Sequence, residues 1–332
     1  MGKNNKKRPP APEEPQLFLT AIESSREPIV DTHTHLLSTF SAYRSKYPAG
    51  KYKSVFDFVR GAYEGKNVEA MVDVYCEAPV QSQWRELADS AIMPEDRMEK
   101  WSGTEYWFVM GVHPHEAKDY TDTVEAEILE AMNHPRNVGW GEIGLDYHYD
   151  LSPRDVQRQV FARQLEHAVR LGKPLTIHTR EAEEDTERIL KEIVPKGHKI
   201  HVHCFTDTPE FAQRLLDHYP NLHIGITGVI TYSTNTNTSD VIRNLVRSND
   251  DSTSSGPLRI LLETDAPYMV PNNIYKAFPE LKSGTRFPIC HTAMIPWTAD
   301  FVAGVASEAG VEYDRDRVMR ESRENARKVY GV

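Results

Sequence analysis

Eight short runs rich in β-branched and aromatic residues recur along the chain, separated by helix-length amphipathic segments. They cover residues 28–35, 70–76, 106–113, 137–143, 174–178, 199–203, 222–228 and 258–264. Parallel strands joined by helical crossovers need cover on both faces. Eight such units predict a single-domain α/β fold, a (β/α)8 TIM barrel over residues 28–332. An open doubly wound sheet is the alternative, but no Gly-x-Gly-x-x-Gly follows the first run, which weakens a dinucleotide site. One connecting helix is well marked. Ser152 and Pro153 supply an N-cap and a first-turn proline, Val160, Leu165 and Val169 recur, and Gly172 closes it. Residues 233–240 and 248–256 are polar and read as loops flanking the short apolar piece 241–246.

The 332 residues are 39% hydrophobic, enough for a sizeable core, and no stretch approaches the roughly 18 apolar residues of a membrane span. The net charge is −10. A protein that coats long nucleic acid shows the opposite balance, so any nucleic-acid contact here is local or carried by bound cations. Cys76, Cys204 and Cys290 form no Cys-x-x-Cys pair. That argues against a disulfide scaffold and for an intracellular setting, cytoplasm and/or nucleus. Residues 1–27 read as a flexible basic and Pro-rich tail with no part in the fold. The tail has no apolar run for a secretory signal, Lys6 stands where myristoylation wants Ser or Thr, and Lys6, Lys7 and Arg8 are a weak nuclear address.

The run ends carry the chemistry. The first ends in His33-Thr-His35, the fourth in Gly-Glu142-Ile-Gly, the fifth in His178-Thr-Arg180, the sixth in His203-Cys204 and the eighth in Glu263-Thr-Asp265. The third adds His113-Pro-His115. In a barrel these ends converge on one mouth. Imidazoles and carboxylates suit Zn²⁺, Mn²⁺ or Mg²⁺. Side chains two apart on a strand share a face, so His33 and His35 point into the mouth together, Cα atoms roughly 6–7 Å apart. Taken singly, each has an ordinary explanation: a lone Glu caps a helix, a lone His fills a core. Joint placement at five of eight ends outweighs those explanations. His201 shares a face with His203 one layer deeper and is read as structural.

At these residues the sequence resembles the TatD family of metal-dependent deoxyribonucleases, within the amidohydrolase-like barrels. The matching stretches are VDTHTHL, GVHPHEA, GWGEIGLDYHYD, PLTIHTREA, HVHCFTD, LLETDAPYM and the closing ENARKVYG. The resemblance runs from about Ile29 to Tyr330. It implies two or more divalent ions (Mg, Mn or Zn). His33 and His35 would hold one, Glu142 would bridge, His178 and His203 would hold a second, and Asp265 would lie near the first. It implies that His113 lies near metal and phosphate, and that the activity is 3′-to-5′ exonucleolytic on DNA, with cleavage at abasic sites as a further expectation. Three departures bear on substrate choice. Residues 285–291 replace an Arg-Asn-Glu-Pro-like motif of many relatives, Thr227 stands where Ser is common, and residues 37–65 form an aromatic-rich insertion.

Two divalent ions about 3.5–4 Å apart suit in-line displacement at phosphorus. Asp265 is the candidate to take the proton of the attacking water, and Glu142 is the other catalytic carboxylate. Arg180 is placed to fork onto a phosphate, or to pair with Glu181 or Glu183. Lys118 is a weaker phosphate candidate. Tyr147, Tyr149, Phe205, Tyr232 and Tyr268 fall on mouth loops, where they pack beneath the loops or stack on bases. The partner expected is DNA, preferably single-stranded or at 3′ ends, in repair or degradation, with no membrane. Two other readings remain open: an amidohydrolase cleaving a cyclic amide or lactone, and a non-catalytic protein-binding barrel. Related amidohydrolases often place a carbamylated lysine at the fourth strand. Glu142 at that position favours the nuclease.

Overall fold

The computed structural model describes residues 10–19, 26–250 and 257–332, excepting the side chains of 248–250. Its strands are β1 (Ile29–Thr34), β2 (Val68–Tyr75), β3 (Glu105–Met110), β4 (Asn137–Asp146), β5 (Leu175–Arg180), β6 (Ile200–Val202), β7 (Leu222–Ile226) and β8 (Ile260–Leu262). They form one parallel sheet in sequential order. The seam between β8 and β1 is drawn shut by short contacts. The Asp265 N–H donates to the His33 carbonyl and the His35 N–H to the Ala266 carbonyl, each at 2.9 Å. The buried Asp31 carboxylate accepts from the Thr264 amide (3.0 Å), the Thr264 hydroxyl (2.7 Å) and the Thr292 hydroxyl (2.9 Å). The expected barrel is thus the fold observed. Large apolar side chains such as Phe108, Trp140, Leu165, Leu175 and Phe211 fill the space in and around the sheet.

Two local expectations are corrected. The helix Arg154–Leu171 begins after Pro153, and Ser152 does not cap it. The Ser152 hydroxyl donates to the His115 carbonyl (2.8 Å) and accepts from the Lys118 N–H (3.1 Å), a tertiary demand that outbids the local cap. Gly172 does close the helix, at φ 64°. The second half of the polar stretch 233–240 is helical, within Asn237–Asp250. Val241, Ile242, Leu245 and Val246 lie at helical spacing and are buried, so their burial carries the polar residues before them into the helix. Of the second expected loop, residues 251–256 lie outside the described residues, and residues up to 250 close the same helix.

The N-terminal segment also differs from expectation. Residues 1–9 and 20–25 lie outside the described residues, but residues 10–19 pack on the barrel. A short helix, Glu14–Leu17, buries Leu17, whose carbonyl accepts from His291 Nε2 (3.0 Å). The Tyr43 hydroxyl donates to Glu14, the Tyr47 hydroxyl to the Pro12 carbonyl (3.0 Å), and the Arg286 N–H to the Pro10 carbonyl (3.0 Å). Phe18 packs on Tyr52, Phe58 and His291. The two departures at 37–65 and 285–291 are therefore the two walls of one cradle. The insertion supplies the helices Leu36–Lys46 and Val55–Ala62, and its aromatic residues receive the segment.

Candidate metal centre

Six expected ligands and His113 meet at the C-terminal mouth. Glu142 Oε1 lies 2.9 Å from His178 Nδ1, 2.7 Å from His203 Nε2 and 3.3 Å from His113 Nε2. Its other oxygen lies 3.5 Å from His33 Nε2 and 3.8 Å from His35 Nε2. Asp265 Oδ1 faces the same pair at 3.8 and 3.4 Å. Three sets, His33–His203–Asp265, His33–His35–Glu142 and His113–Glu142–His178, each bring one donor atom per residue within 4.8 Å of one another. Asp265 stands at φ 50°, a conformation that side chains other than glycine rarely adopt and that concentrates at functional sites. The His33 and His203 rings stack 4.0 Å apart, and neither Nδ1 has a hydrogen-bond partner. Buried carboxylates facing imidazole nitrogens fit divalent cations in residue type and in convergence.

Charge in the metal-free cluster is sharply divided. Burial opposes ionisation of Glu142, yet His203, His113 and His178 hold its carboxyl well below the ordinary range. Burial likewise opposes charge on Asp265, but His35 and His203 keep its pKa low. Burial, reinforced by His203, drives His33 down to about 3. His35 and His178 go the other way. Burial disfavours their cations, but Asp265 raises His35 to about 9, and Asp146 with Glu142 raises His178 to about 9. Protons on these two rings thus occupy positions from which a metal must displace them.

Asp146, at the end of β4, is a residue that sequence reasoning passed over. It is 1% exposed. One oxygen accepts from His115 Nε2 (3.0 Å) and His178 Nε2 (3.2 Å); the other accepts the backbone N–H groups of His148 (3.0 Å) and Tyr149 (2.9 Å). Holding the His178 proton at Nε2 leaves its Nδ1 lone pair for the cluster. The available signal was spacing: Asp146 lies four residues beyond Glu142 on one strand, hence on the same face. Asp73 on β2 was passed over too. It accepts the Leu36 N–H (2.8 Å) at the start of the helix after His35, and the Tyr106 hydroxyl (2.9 Å). It therefore supplies from another strand the acceptor that a helix N-terminus needs.

The residues expected to touch substrate are more scattered. His113 Nδ1 accepts the His115 N–H (3.1 Å), which leaves the ring proton on Nε2, facing Glu142. That makes His113 a donor at the mouth. Arg180 pairs with no carboxylate among the described residues. Glu181 instead meets His148 (2.7 Å), Glu183 meets Thr208, and the Arg180 guanidinium lies over the Tyr149 ring, 4.9 Å from its centroid. Lys118 is tied to the Leu151 carbonyl. Phe205 is buried, and the hydroxyls of Tyr147 and Tyr232 bond Asp185 and the Val270 carbonyl, so these three are packing residues. His201 is fully buried beneath the cluster, between Glu263 (2.9 Å) and the Tyr330 hydroxyl (2.9 Å), as its deeper layer implied.

The family model described as "TatD related DNase" matches residues 30–331. The chain belongs to this family. Among curated relatives, this TatD-family chain is 35% identical over 258 residues to the human 3'-5' RNA nuclease TATDN2, covering 76% of this chain and 30% of that protein. It is 34% identical over 169 residues to the 3'-5' ssDNA/RNA exonuclease TatD of Musicola paradisiaca, covering 51% of this chain and 60% of the relative. The matched regions thus span less than a third of the first relative and 60% of the second. In fold, an uncharacterized amidohydrolase from Saccharomyces cerevisiae superposes with a TM-score of 0.70 at 17% identity, over 92% of this chain and all of that one. Among the described residues, no helix is long and apolar enough to cross a membrane.

Proposed function

We propose that this TatD-family chain is a divalent-metal-dependent nuclease that hydrolyses phosphodiester bonds in single-stranded or frayed nucleic acid from the 3′ end. The observation that carries the reading is the convergence of His33, His35, Glu142, His178, His203 and Asp265 from five strand ends on one small space. DNA is the substrate the family description suggests, and the names of the two relatives extend it to RNA. Cleavage at abasic sites would use the same chemistry. Two or more ions of Mg²⁺, Mn²⁺ or Zn²⁺, held by those six residues, would neutralise charge at phosphorus and activate water.

The chain's own residues do the rest. Asp265, ionised and at the edge of the cluster, accepts the proton of the attacking water. Glu142 stays ionised among five imidazoles and keeps them oriented. His113 donates its Nε2 proton to a phosphoryl oxygen. Arg180, free of carboxylates, offers its fork to the next phosphate. A net charge of −10 leaves attraction of the polyanion to these groups, which favours a strand whose end bends into the mouth over rigid duplex. The three cysteines are unpaired, which supports an intracellular setting, in cytoplasm or nucleus.

The test is a time course on 5′-labelled single strands and matched blunt duplexes with Mg²⁺, Mn²⁺ or Zn²⁺ beside an EDTA control, with elemental analysis of loaded protein. Progressive shortening of the single strand, duplex spared, and about two or more ions per chain are expected. A folded protein with no metal, or one that leaves nucleic acid intact while opening a cyclic amide or lactone, overturns the reading.

A further inference from the structure

The chain has 31 aromatic residues of the Phe, Trp and Tyr types (11 Phe, 5 Trp, 15 Tyr), all of them within the described residues. Only two are exposed by more than a third, Tyr149 at 53% and Tyr268 at 60%. Every other such ring is buried or half-buried. The two exceptions are not scattered over the surface. Tyr149 lies three residues beyond Asp146 at the end of β4, with His115 at 5.4 Å between it and the cluster. Tyr268 lies three residues beyond Asp265, and its N–H donates to the Asp265 carbonyl (2.9 Å). In a barrel of eight strands in sequential order, β4 and the end of β8 are four strands apart in either direction. The two rings therefore stand on opposite walls of one mouth, with the metal centre between them.

Leaving an aromatic face in water forfeits burial worth about 2 kcal/mol per large side chain, and this fold does so only beside its candidate chemistry. Nor is Tyr149 a loose side chain. Its N–H is held by Asp146, His148 and His115 abut its ring edge-to-face at 4.7 and 5.4 Å, and Arg180 lies over it. A rigid ring next to a planar, carboxylate-free guanidinium is a stacking platform with a phosphate donor at its side. Bases are the flat apolar groups that flank a phosphodiester on both sides.

We propose that Tyr149 and Tyr268 are two base-stacking sites that bracket the scissile phosphate. Tyr149 with Arg180 holds the base on one side and Tyr268 the base on the other. Both sites need bases that have left a duplex, so the pair makes the enzyme selective for unpaired strands without reading sequence. The inference rests on the nuclease reading only for the identity of the ligand.

The test separates the two. Binding of a fluorescent single strand with non-cleavable phosphorothioate links is measured by anisotropy on metal-loaded protein, for wild type, Tyr149→Leu and Tyr268→Leu, using a normal strand and one with abasic residues throughout. Stacking of one base predicts a roughly 5- to 150-fold weaker affinity for each variant on the normal strand. Removing the bases weakens wild type most, and the abasic strand shows a smaller loss on substitution than the normal one. Equal losses on both strands, or wild-type affinity in both variants, overturn the stacking sites. Cleavage by wild type with either of those outcomes leaves the nuclease reading standing. Tyrosine-dependent binding by a wild type that cleaves nothing keeps the stacking sites and removes the nuclease.

Discussion

Asp146→Asn tests whether the tautomer of a ligand is set from outside the metal cluster. In the native arrangement the carboxylate accepts ring protons from His115 and His178 at Nε2. Asparagine can keep its oxygen on the His148 and Tyr149 N–H groups, but then its amide NH₂ faces both rings. A donor there demands a lone pair on His178 Nε2, which leaves the ring's one proton on Nδ1, the atom 2.9 Å from Glu142 and aimed at the cluster. In the wild type a metal displaces the Nδ1 proton of a doubly protonated ring whose other proton stays hydrogen-bonded to Asp146; in the variant the ring must first move its one proton onto Nε2, against the amide NH₂. Partners of this kind are worth about 10–100-fold in metal affinity. Asp146 is 1% exposed and serves two rings, which places the expected loss near 100-fold, or about 2.7 kcal/mol. Calorimetric titration of metal-free protein with Zn²⁺ near neutral pH reads it directly, beside a thermal melt to verify folding. An Asn variant that melts normally and binds Zn²⁺ within about twofold of wild type would refute the reasoning.

Arg180→Ala should raise KM for single strands by roughly tenfold, a charge-assisted contact or two, while elemental analysis finds the metal content unchanged; altered metal content would move Arg180 into the support of the cluster. Asp265→Asn should lower turnover by about 10²–10⁴-fold with strand binding kept, and near wild-type turnover would exclude it as the base. Leu17→Ala should cost about 2–3 kcal/mol and several degrees of Tm, because Leu17 is 1% exposed, whereas a deletion ending at residue 9 should leave Tm within about one degree, the scale of surface changes. For metal-free protein, His35 and His178 bind protons more tightly folded than unfolded, with pKa values raised from 6.5 to about 9. Their contribution is complete below pH 6.5 and is lost as pH rises through about 9, so Tm should fall across that window. Saturating Zn²⁺ should abolish this alkaline fall, since bound metal replaces those protons; a fall that persists unchanged with Zn²⁺ would place it elsewhere in the molecule.

The barrel was legible because its signals are local. Each strand is a short apolar run, each crossover a helical period, and eight repeats leave few ways to cover both faces of a parallel sheet. The ligand candidates were legible for the same reason: a residue at the end of a strand points into the mouth wherever the strand lies in the order. His201 could be set apart from His203 by one layer of alternation alone. The elements that escaped depend on contacts between distant segments. Ser152 reads as a cap until the His115 carbonyl and the Lys118 N–H compete for its hydroxyl. Residues 10–19 read as tail because they are Pro-rich and continue a basic start with no helical or strand period. What holds them is a cradle of two departures, 37–65 and 285–291, more than 200 residues apart. The same division runs through the site. The sequence by itself determined which residues face the mouth, since that follows from period and position. Only the tertiary structure decided their chemistry. The charge on His33 against His178 and the freedom of Arg180 from its neighbouring carboxylates are each set by groups from other segments at about 3–5 Å. Fields and solvent access at that range depend on distances through space, which no spacing along the chain encodes.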